Sequence, residues 1–324
     1  MKLAVIGATG MVGSYFIKIL EEQNFKADEF YFFASARSAG KKIKFDEKEY
    51  EILALDDNIY NMGIGIALMC AGGDISAKYA KGLAESGAVV VDNSSHFRMN
   101  TDVPLVVPEA NAHEISNHKG IIANPNCSTI QSIVALKPLH DAFSLKRVVY
   151  TTYQAVSGAG MEGWQDLENG LKGEAPKMFA YPIANNLIPQ IDVFKENGYT
   201  GEEMKMIEET KKILGLPKLA VTATCVRVPV FNVHSVSINV QFENKFDIDE
   251  VMKILSSAPG VVVMNNPAQK VYPMPVNTEG SDSVFVGRIR RDDSFENSLN
   301  MWVVSDNLRK GAATNAVQIA KLLI

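Results

Sequence analysis

The chain has 324 residues, more than one hydrophobic core usually supports, so we expect two domains. Its 47% hydrophobic and 21% charged residues are typical of a globular protein in water. The net charge of −5 excludes the basic footprint of a nucleic-acid-binding protein, and no apolar stretch reaches the roughly 18 residues that a spanning helix needs.

Short apolar runs alternate with helical patterns in the first third of the chain. The runs at 2–6, 29–34, 66–71 and 88–92 are predicted as strands, and the segments 11–23 and 75–85 as helices. Apolar strands separated by helices are typical of a parallel sheet that is covered on both faces. We therefore predict an N-terminal Rossmann-like domain.

The pattern changes after about Ser128 to longer runs of alternating apolar and polar residues, at 146–155, 219–230, 233–243 and 283–290. Such alternation indicates a mostly antiparallel sheet with one covered face. The chain ends in a helical pattern over 307–324. The predicted fold class is α/β. Residues 1–127 with the C-terminal helix 307–324 form a dinucleotide-binding domain, and residues 128–306 form a second, α+β domain.

A glycine-rich loop separates the first strand from the first helix, with the sequence Gly7-Ala8-Thr9-Gly10-Met11-Val12-Gly13. Glycines at this spacing allow a tight turn and a close approach of the backbone to a pyrophosphate. The phosphates then meet the free N–H groups of the helix. The alternative is a turn that binds nothing, but the strand–turn–helix context at the start of the chain favours a nucleotide site.

The end of the second strand indicates which dinucleotide is bound. Enzymes that prefer NAD typically carry an acidic residue there to bind the ribose 2′-hydroxyl, and this chain has none. Ser35, Arg37 and Ser38 offer two hydroxyls and a guanidinium instead, which suit a 2′-phosphate. This favours NADP, although Arg37 could also be a solvated loop residue.

The segment Asn124-Pro125-Asn126-Cys127 precedes a helical pattern, so Cys127 is expected at a helix N-terminus. The helix dipole and unpaired N–H groups there stabilise a thiolate. Cys70 and Cys225 lie in apolar runs and are interpreted as buried structural cysteines. The three cysteines show no metal-ligand spacing, and without an export signal they indicate reduced thiols in the cytoplasm.

Two polar residues interrupt apolar strand faces in the second domain. His234 shares a face with Val236, Ile238 and Val240, where a core histidine bonded to the backbone is the usual explanation. Arg227 ends the otherwise apolar face of the 219–230 run, where an unpaired charge costs several kcal/mol. We infer that both residues line one pocket and that an anion meets Arg227.

These segments together resemble the aspartate-β-semialdehyde dehydrogenases of the bacterial type, and the resemblance covers essentially the whole chain. It rests on GATGMVG at 7–13, DNSSHFRM at 92–99, VVPEAN at 106–111, NPNCSTIQ at 124–131, QAVSGAG at 154–160, EEMKM at 202–206, VRVPVFNVHS at 226–235 and DNLRKGAA at 306–313. The joint occurrence of these motifs in this order is far more specific than any one of them.

The resemblance implies reversible oxidation of L-aspartate-β-semialdehyde with NADP and phosphate to β-aspartyl phosphate, a step toward lysine, threonine, methionine and diaminopimelate. It implies a cytoplasmic homodimer or dimer of dimers that binds neither nucleic acid nor membrane. The second domain then becomes the catalytic and dimerisation domain.

The resemblance also assigns roles to single residues. It implies Cys127 as nucleophile, His234 as acid/base and Gln154 as the residue that orients the intermediate. Substrate and phosphate contacts are implied for Arg98, Asn126, Glu202, Lys205 and Arg227, and contacts near the nicotinamide for Ser157, Gly158 and Asn307. Some family members carry Gln at the position of Asn307, so that assignment is the least secure.

Two other functions compete with this one. A reductase of another acyl phosphate, such as N-acetylglutamyl phosphate, typically places its cysteine in a different motif and needs no group for a free amine. A catalytically silent dinucleotide-binding protein would lack the cysteine, the histidine or the arginine, and all three are present here.

Overall fold

The structure, a computed structural model, describes all residues from 1 to 324. The chain divides into two compact units: Met1–Pro125 with Ala312–Ile324, and Asn126–Gly311. No helix is both long and apolar enough to cross a membrane.

The first unit is built on a seven-stranded sheet with the order β3-β4-β2-β1-β5-β6-β7. Its elements are β1 (Lys2–Ile6), α1 (Met11–Glu22), β2 (Glu29–Ala34), β3 (Lys42–Phe45), β4 (Lys48–Ala54), β5 (Ile64–Met69), α2 (Gly73–Glu85), β6 (Val89–Asp92), α3 (Pro108–Asn111) and β7 (Ile121–Ala123). Neighbouring strands are parallel except in the β3–β4 hairpin. The predicted α/β fold with its parallel sheet is confirmed.

The central strand β1 pairs with β2 on one side and with β5 on the other. The order of the sheet therefore reverses between β1 and β5. In open parallel sheets, ligands bind at the carboxyl ends of the strands at such a reversal. The loop that follows β1 is the predicted glycine-rich loop, so the fold places it at this point.

The second unit is built on a six-stranded sheet with the order β11-β12-β13-β10-β8-β9. Its elements are α4 (Cys127–Phe143), β8 (Leu145–Gln154), α5 (Gly160–Gly170), α6 (Gly201–Leu214), β9 (Ala220–Arg227), β10 (His234–Phe242), α7 (Ile248–Ser257), β11 (Val261–Val263), α8 (Pro275–Thr278), β12 (Val284–Asp292) and β13 (Ser298–Ser305). Three strand pairs are antiparallel and two are parallel, so the sheet is mostly antiparallel.

Helix α4 packs against β8, β10, β12 and β13, and α6 packs against α4 and β9. The face of β10 that carries His234, Val236, Ile238, Val240 and Phe242 is buried, as its alternation predicts. This packing brings the start of α4 and the ends of β8, β9 and β10 into one unit. The candidate nucleophile and its neighbours are therefore held by regular elements.

The C-terminal segment departs from the single helix predicted over 307–324. A π-helical turn, Arg309–Ala313, precedes helix α9 (Thr314–Lys321). The Asp306 carboxylate accepts the N–H groups of Leu308 at 2.9 Å and of Arg309 at 3.2 Å, which fixes a separate turn before the helix. Helix α9 packs on α1 in the first unit.

Candidate active site

A cavity of about 410 Å³ opens at the carboxyl ends of β1, β2 and β5 in the first unit. Four predicted cofactor residues lie on its wall: Gly7, Thr9, Gly10 and Ser35. Sequence reasoning did not identify the residues that α2 and its neighbours contribute, which are Leu55, Ile75, Lys78 and Tyr79. Only tertiary packing brings these residues to the glycine-rich loop.

The start of α1 has the properties of a phosphate cradle. Its N-cap is Gly10, so no side chain caps the first N–H groups, which belong to Met11, Val12 and Gly13. A Cβ on Gly13 would lie 2.1 Å from the Gly7 carbonyl oxygen, so only glycine allows the helix to sit this close to the strand. An uncapped helix terminus beside a cavity fits the pyrophosphate of a dinucleotide.

Two predicted cofactor residues and one cysteine lie in surroundings that the sequence did not predict. Arg37 and Ser38 lie in the turn after β2, where Arg37 is exposed, and neither is on the cavity wall. Cys70, interpreted above as a buried core residue, is half-buried and lines the cavity. Burial, with the Asp92 carboxylate nearby, raises the pKa of the Cys70 thiol to about 12, so it stays protonated.

Arg98 is buried in the first unit and is held by main-chain oxygens. Its Nε donates to the Asn124 carbonyl at 2.9 Å and its Nη2 to the Asn93 carbonyl at 3.0 Å. The side chains of the two asparagines are joined by a 2.7 Å hydrogen bond. Asn315 of α9 donates to the Asn124 side chain at 2.7 Å, so the last helix supports the same network.

In the second unit, Cys127 is the first residue of α4, as predicted, and Asn126 is the N-cap. The Asn126 Oδ1 atom accepts the N–H groups of Ser128 at 3.0 Å and Thr129 at 3.2 Å. Cys127 is half-buried, and its charge acts on Arg227. A thiolate at this position is stabilised by the helix terminus and by a nearby cation.

Glu202 connects several predicted site residues. Its Oε1 accepts from Asn126 Nδ2 at 2.8 Å and from Gln154 Nε2 at 3.0 Å, and its Oε2 lies 3.3 Å from Lys205 Nζ. Burial opposes ionisation of Glu202, but Lys205 and the two amides outweigh it and hold the pKa below its ordinary value. Glu202 is therefore a buried carboxylate that remains ionised.

Arg227 is buried at the end of β9, and no carboxylate forms a salt bridge with it. Its Nη1 donates to the Ala155 carbonyl at 2.6 Å, but its Nε is buried without a hydrogen-bond partner. Burial, only partly opposed by Glu202, lowers the pKa of the guanidinium. A buried guanidinium with an unsatisfied donor is suited to binding an anionic ligand.

His234 is fully buried at the start of β10. Its Nδ1 accepts the Ala155 N–H at 3.0 Å, and its Nε2 is buried without a partner. Burial and the charge of Arg227 lower the pKa of His234 to about 3, so the ring is neutral. Since Nδ1 is an acceptor, the neutral ring carries its proton on Nε2.

Gly158 lies against the side chains of both Arg227 and His234. A Cβ at this position would be 2.8 Å from Arg227 Nη1 and 3.1 Å from His234 Nε2. Asn307 donates to the hydroxyl of Ser157 at 3.1 Å and accepts the Val233 N–H at 2.9 Å. Two predicted cofactor residues, Asn307 and Ser157, are thus joined, and Asn307 also supports the turn before His234.

Known proteins with related sequences support this description. The family model described as semialdehyde dehydrogenase, NAD binding domain, matches residues 2–118, and the one described as semialdehyde dehydrogenase, dimerisation domain, matches residues 136–310. Curated relatives include aspartate-semialdehyde dehydrogenases from Aquifex aeolicus, 54% identical over 100% of this chain and 98% of the relative, and from Campylobacter jejuni, 50% identical over 99% and 96%.

Solved structures of related enzymes have the same fold. Aspartate semialdehyde dehydrogenase II of Vibrio cholerae, complexed with ASA, has a TM-score of 0.96 at 46% identity and covers 99% of this chain and 97% of its own. The enzyme from Candida albicans with NADP has a TM-score of 0.77 at 28% identity and covers 99% and 98%.

A dinucleotide cradle together with a cysteine at a helix start defines the class of thiol-dependent aldehyde dehydrogenases. Within that class, the chain belongs to the aspartate-semialdehyde dehydrogenase family. It is an enzyme of amino-acid biosynthesis that acts on aspartate semialdehyde and carries an NAD(P)-binding domain. The resemblance found in the sequence is confirmed.

Proposed function

We propose that the chain interconverts L-aspartate-β-semialdehyde and β-aspartyl phosphate with NADP through a thioester on Cys127, with His234 and Arg227 acting on the substrate. The observation that carries the proposal is that Arg227 and His234 both lie against Gly158 and that each has a buried atom without a hydrogen-bond partner, Nε in Arg227 and Nε2 in His234. Buried polar atoms are normally satisfied within the protein. Two such atoms in one unit with a cysteine at the start of a helix are suited to binding substrate.

In the oxidative direction the Cys127 thiolate attacks the aldehyde carbon. A carbon–sulfur bond forms, and the carbonyl electron pair moves to oxygen, where the Nε2–H of His234 stabilises the negative charge. NADP, when bound, supplies the hydride acceptor. As the carbonyl reforms, the proton shared with Nε2 stays on the ring, and the product is a thioester. Phosphate then attacks the acyl carbon and the Cys127 thiolate leaves.

We assign substrate recognition to charged and amide groups in the second unit. The Arg227 guanidinium binds the substrate carboxylate, and the ionised Glu202 binds the ammonium group. Gln154 orients the intermediate, and Asn126 holds both Glu202 and the start of α4. Arg98 and Lys205 are each assigned to phosphate. These assignments are supported by the burial and the hydrogen bonds of Glu202 and Arg98. They are also supported by the two carboxylates that bind the Lys205 ammonium group.

We assign the 2′-phosphate of NADP to Ser35, Arg37 and Ser38, since Ser35 lines the cavity and Arg37, two residues further on, is exposed. Ser157, Gly158 and Asn307 are assigned to the nicotinamide end. The first unit would thus be the NADP-binding domain and the second the catalytic and dimerisation domain. We further propose a cytoplasmic homodimer or dimer of dimers.

The direct test is phosphate-dependent formation of NADPH from aspartate semialdehyde. Cys127→Ala removes the nucleophile, so turnover should fall by roughly 10⁴-fold or more while NADP still binds. Cys225→Ala is the matched control, because Cys225 is a neighbouring cysteine, and burial raises the pKa of its thiol so that it stays protonated. Substantial turnover by Cys127→Ala would overturn the proposal.

A further inference from the structure

Glu209 is a buried carboxylate on α6 that has no part in the reaction described above. Its side chain is 1% exposed, and its Oε2 accepts the main-chain N–H of Asn126 at 2.6 Å. Asn126 directly precedes Cys127. As the N-cap of α4, Asn126 has no helical acceptor for its own N–H, so this bond to a side chain satisfies it.

A second carboxylate of the same helix holds the same residue. Glu202 lies two helical turns before Glu209, on the same face of α6, and accepts the side-chain amide of Asn126 at 2.8 Å. Between them, Met206 contacts the hydroxyl of Thr129 at 3.5 Å. Asn126 is therefore fixed through both its main chain and its side chain by one helix.

A negative charge beside Asn126 does not help to ionise the neighbouring thiol. The charge that favours the Cys127 thiolate is that of Arg227 on β9. Cys225 on the same strand stays protonated and therefore adds no charge. Electrostatic activation of Cys127 therefore does not explain Glu209. A short charge-assisted hydrogen bond, however, fixes a peptide more firmly than a neutral one.

We propose that Glu209 is a positioning residue, which holds the 125–126 peptide so that Cys127 is presented at the start of α4 in the geometry for attack. This inference rests on the proposed role of Cys127. A displacement of the nucleophile by about 1 Å is enough to reduce a reaction rate by about 100-fold. The length of the carboxylate arm matters on this account, as well as its charge.

Two variants separate arm length from charge. Glu209→Asp keeps the charge but draws the carboxylate back by one methylene, whereas Glu209→Gln keeps the length and an acceptor but removes the charge. The readouts are kcat with the KM for semialdehyde, and the rate of Cys127 alkylation by iodoacetamide as a function of pH. Glu208→Gln, an exposed position on the same helix, is the matched control.

We expect Glu209→Asp to lower kcat by about tenfold or more, with a smaller change in KM and no shift in the alkylation midpoint. Glu209→Gln should lower kcat less and move the alkylation midpoint to lower pH, because a negative charge near the thiolate is lost. Glu208→Gln should change neither readout. If Glu209→Gln does not fold, Glu209→Asp alone still gives the decisive comparison.

The inference is overturned if Glu209→Asp retains the kcat of the unmodified enzyme. It is also overturned if Glu209→Gln shifts the alkylation midpoint and lowers kcat more than Glu209→Asp does. The charge of Glu209, and not the length of its side chain, would then determine the rate. Failure of the proposed function is distinguishable from either result. In that case Cys127→Ala would turn over, whatever the Glu209 variants do to alkylation.

Discussion

Two arginines assigned to anions have different hydrogen-bond surroundings. Arg98 is held at Nε and Nη2 by two main-chain carbonyls of its own unit, which fixes the plane of its guanidinium. Arg227 uses one Nη for the Ala155 carbonyl, and its Nε has no partner. A planar fork with an unsatisfied Nε is suited to a carboxylate, which can accept two parallel hydrogen bonds.

The first prediction concerns how these two arginines divide the anions. Lysine keeps the charge but loses the fork, so Arg227→Lys should raise the KM for semialdehyde more than the KM for phosphate. Arg98→Lys should show the opposite bias. A charge-assisted contact of about 1.5–3 kcal/mol corresponds to about a ten- to hundredfold effect. Steady-state kinetics with each substrate varied independently measures both, and equal effects would reject the division.

The second prediction concerns His234, whose pKa falls from an ordinary 6.5 to about 3 through burial and the charge of Arg227. The unfolded chain binds a proton below pH 6.5 that the folded chain does not, so His234 makes the fold less stable as pH falls. Between pH 7.5 and 5.5 this contribution is about 1.4 kcal/mol. The variant His234→Gln has no imidazole and therefore lacks this pH-dependent contribution to stability.

Urea unfolding at the two pH values tests this difference. The unmodified chain should lose about 1.4 kcal/mol more than His234→Gln on going from pH 7.5 to 5.5. Equal losses would mean that the imidazole titrates normally in the folded state. The depressed pKa of His234, and with it a ring that stays neutral at pH 5.5, would then be wrong.

Sequence pattern was sufficient for some of these residues and not for others. The alternation in β9 and β10 singled out Arg227 and His234, because a polar residue on a buried face stands out locally. Glu202 and Lys205 look like an ordinary surface pair, and only the family resemblance marked them. Glu209 was missed because its importance comes from a contact with Asn126, which is distant in the chain.

Most internal strands were predictable and most edge strands were not, although the edge strand β9 was predicted from its alternation and the internal strand β13 was missed. The strands β1, β2, β5 and β6 are apolar because both of their faces are covered in the sheet. The β3–β4 hairpin forms one edge, where the charged sequence from Lys41 to Glu51 has little periodic signal. The short strands β7 and β11 also lie at sheet edges.

The last helix was predicted over 307–324, but helix α9 begins only at Thr314. It is tied to the first unit by Asn315, which donates to the Val106 carbonyl at 2.9 Å and to the Asn124 side chain at 2.7 Å. These bonds join residues roughly 200 positions apart. Helical spacing in the sequence contains no information about them.

The third prediction follows from this tie. Asn315→Ala leaves the buried oxygens of Val106 and Asn124 without their donor, so the free energy of unfolding should fall by about 1–3 kcal/mol. Gln318→Ala, one turn further along α9 and only half-buried, should cost less than about 0.5 kcal/mol. Urea unfolding of both variants measures the difference. Equal costs would show that the Asn315 hydrogen bonds contribute nothing specific.

The glycine-rich loop and the change of periodicity near residue 128 predicted that a Rossmann-like domain is followed by an α+β domain. The structure adds two compact units, the second beginning at Asn126. It also adds the walls of the dinucleotide cavity beyond the loop, such as Lys78 and Tyr79. These residues come from α2, and no local pattern connects α2 with the loop after β1.

If the acyl group is carried on Cys127, it should be trapped there when phosphate is withheld. The enzyme is mixed rapidly with aspartate semialdehyde and NADP in the absence of phosphate. NADPH formation is followed by absorbance, and the quenched protein is then analysed by peptide mass spectrometry. We expect a burst of about one NADPH per chain, with the acyl group on the peptide that contains Cys127. A burst that persists in Cys127→Ala, or an acyl group on any other residue, would contradict it.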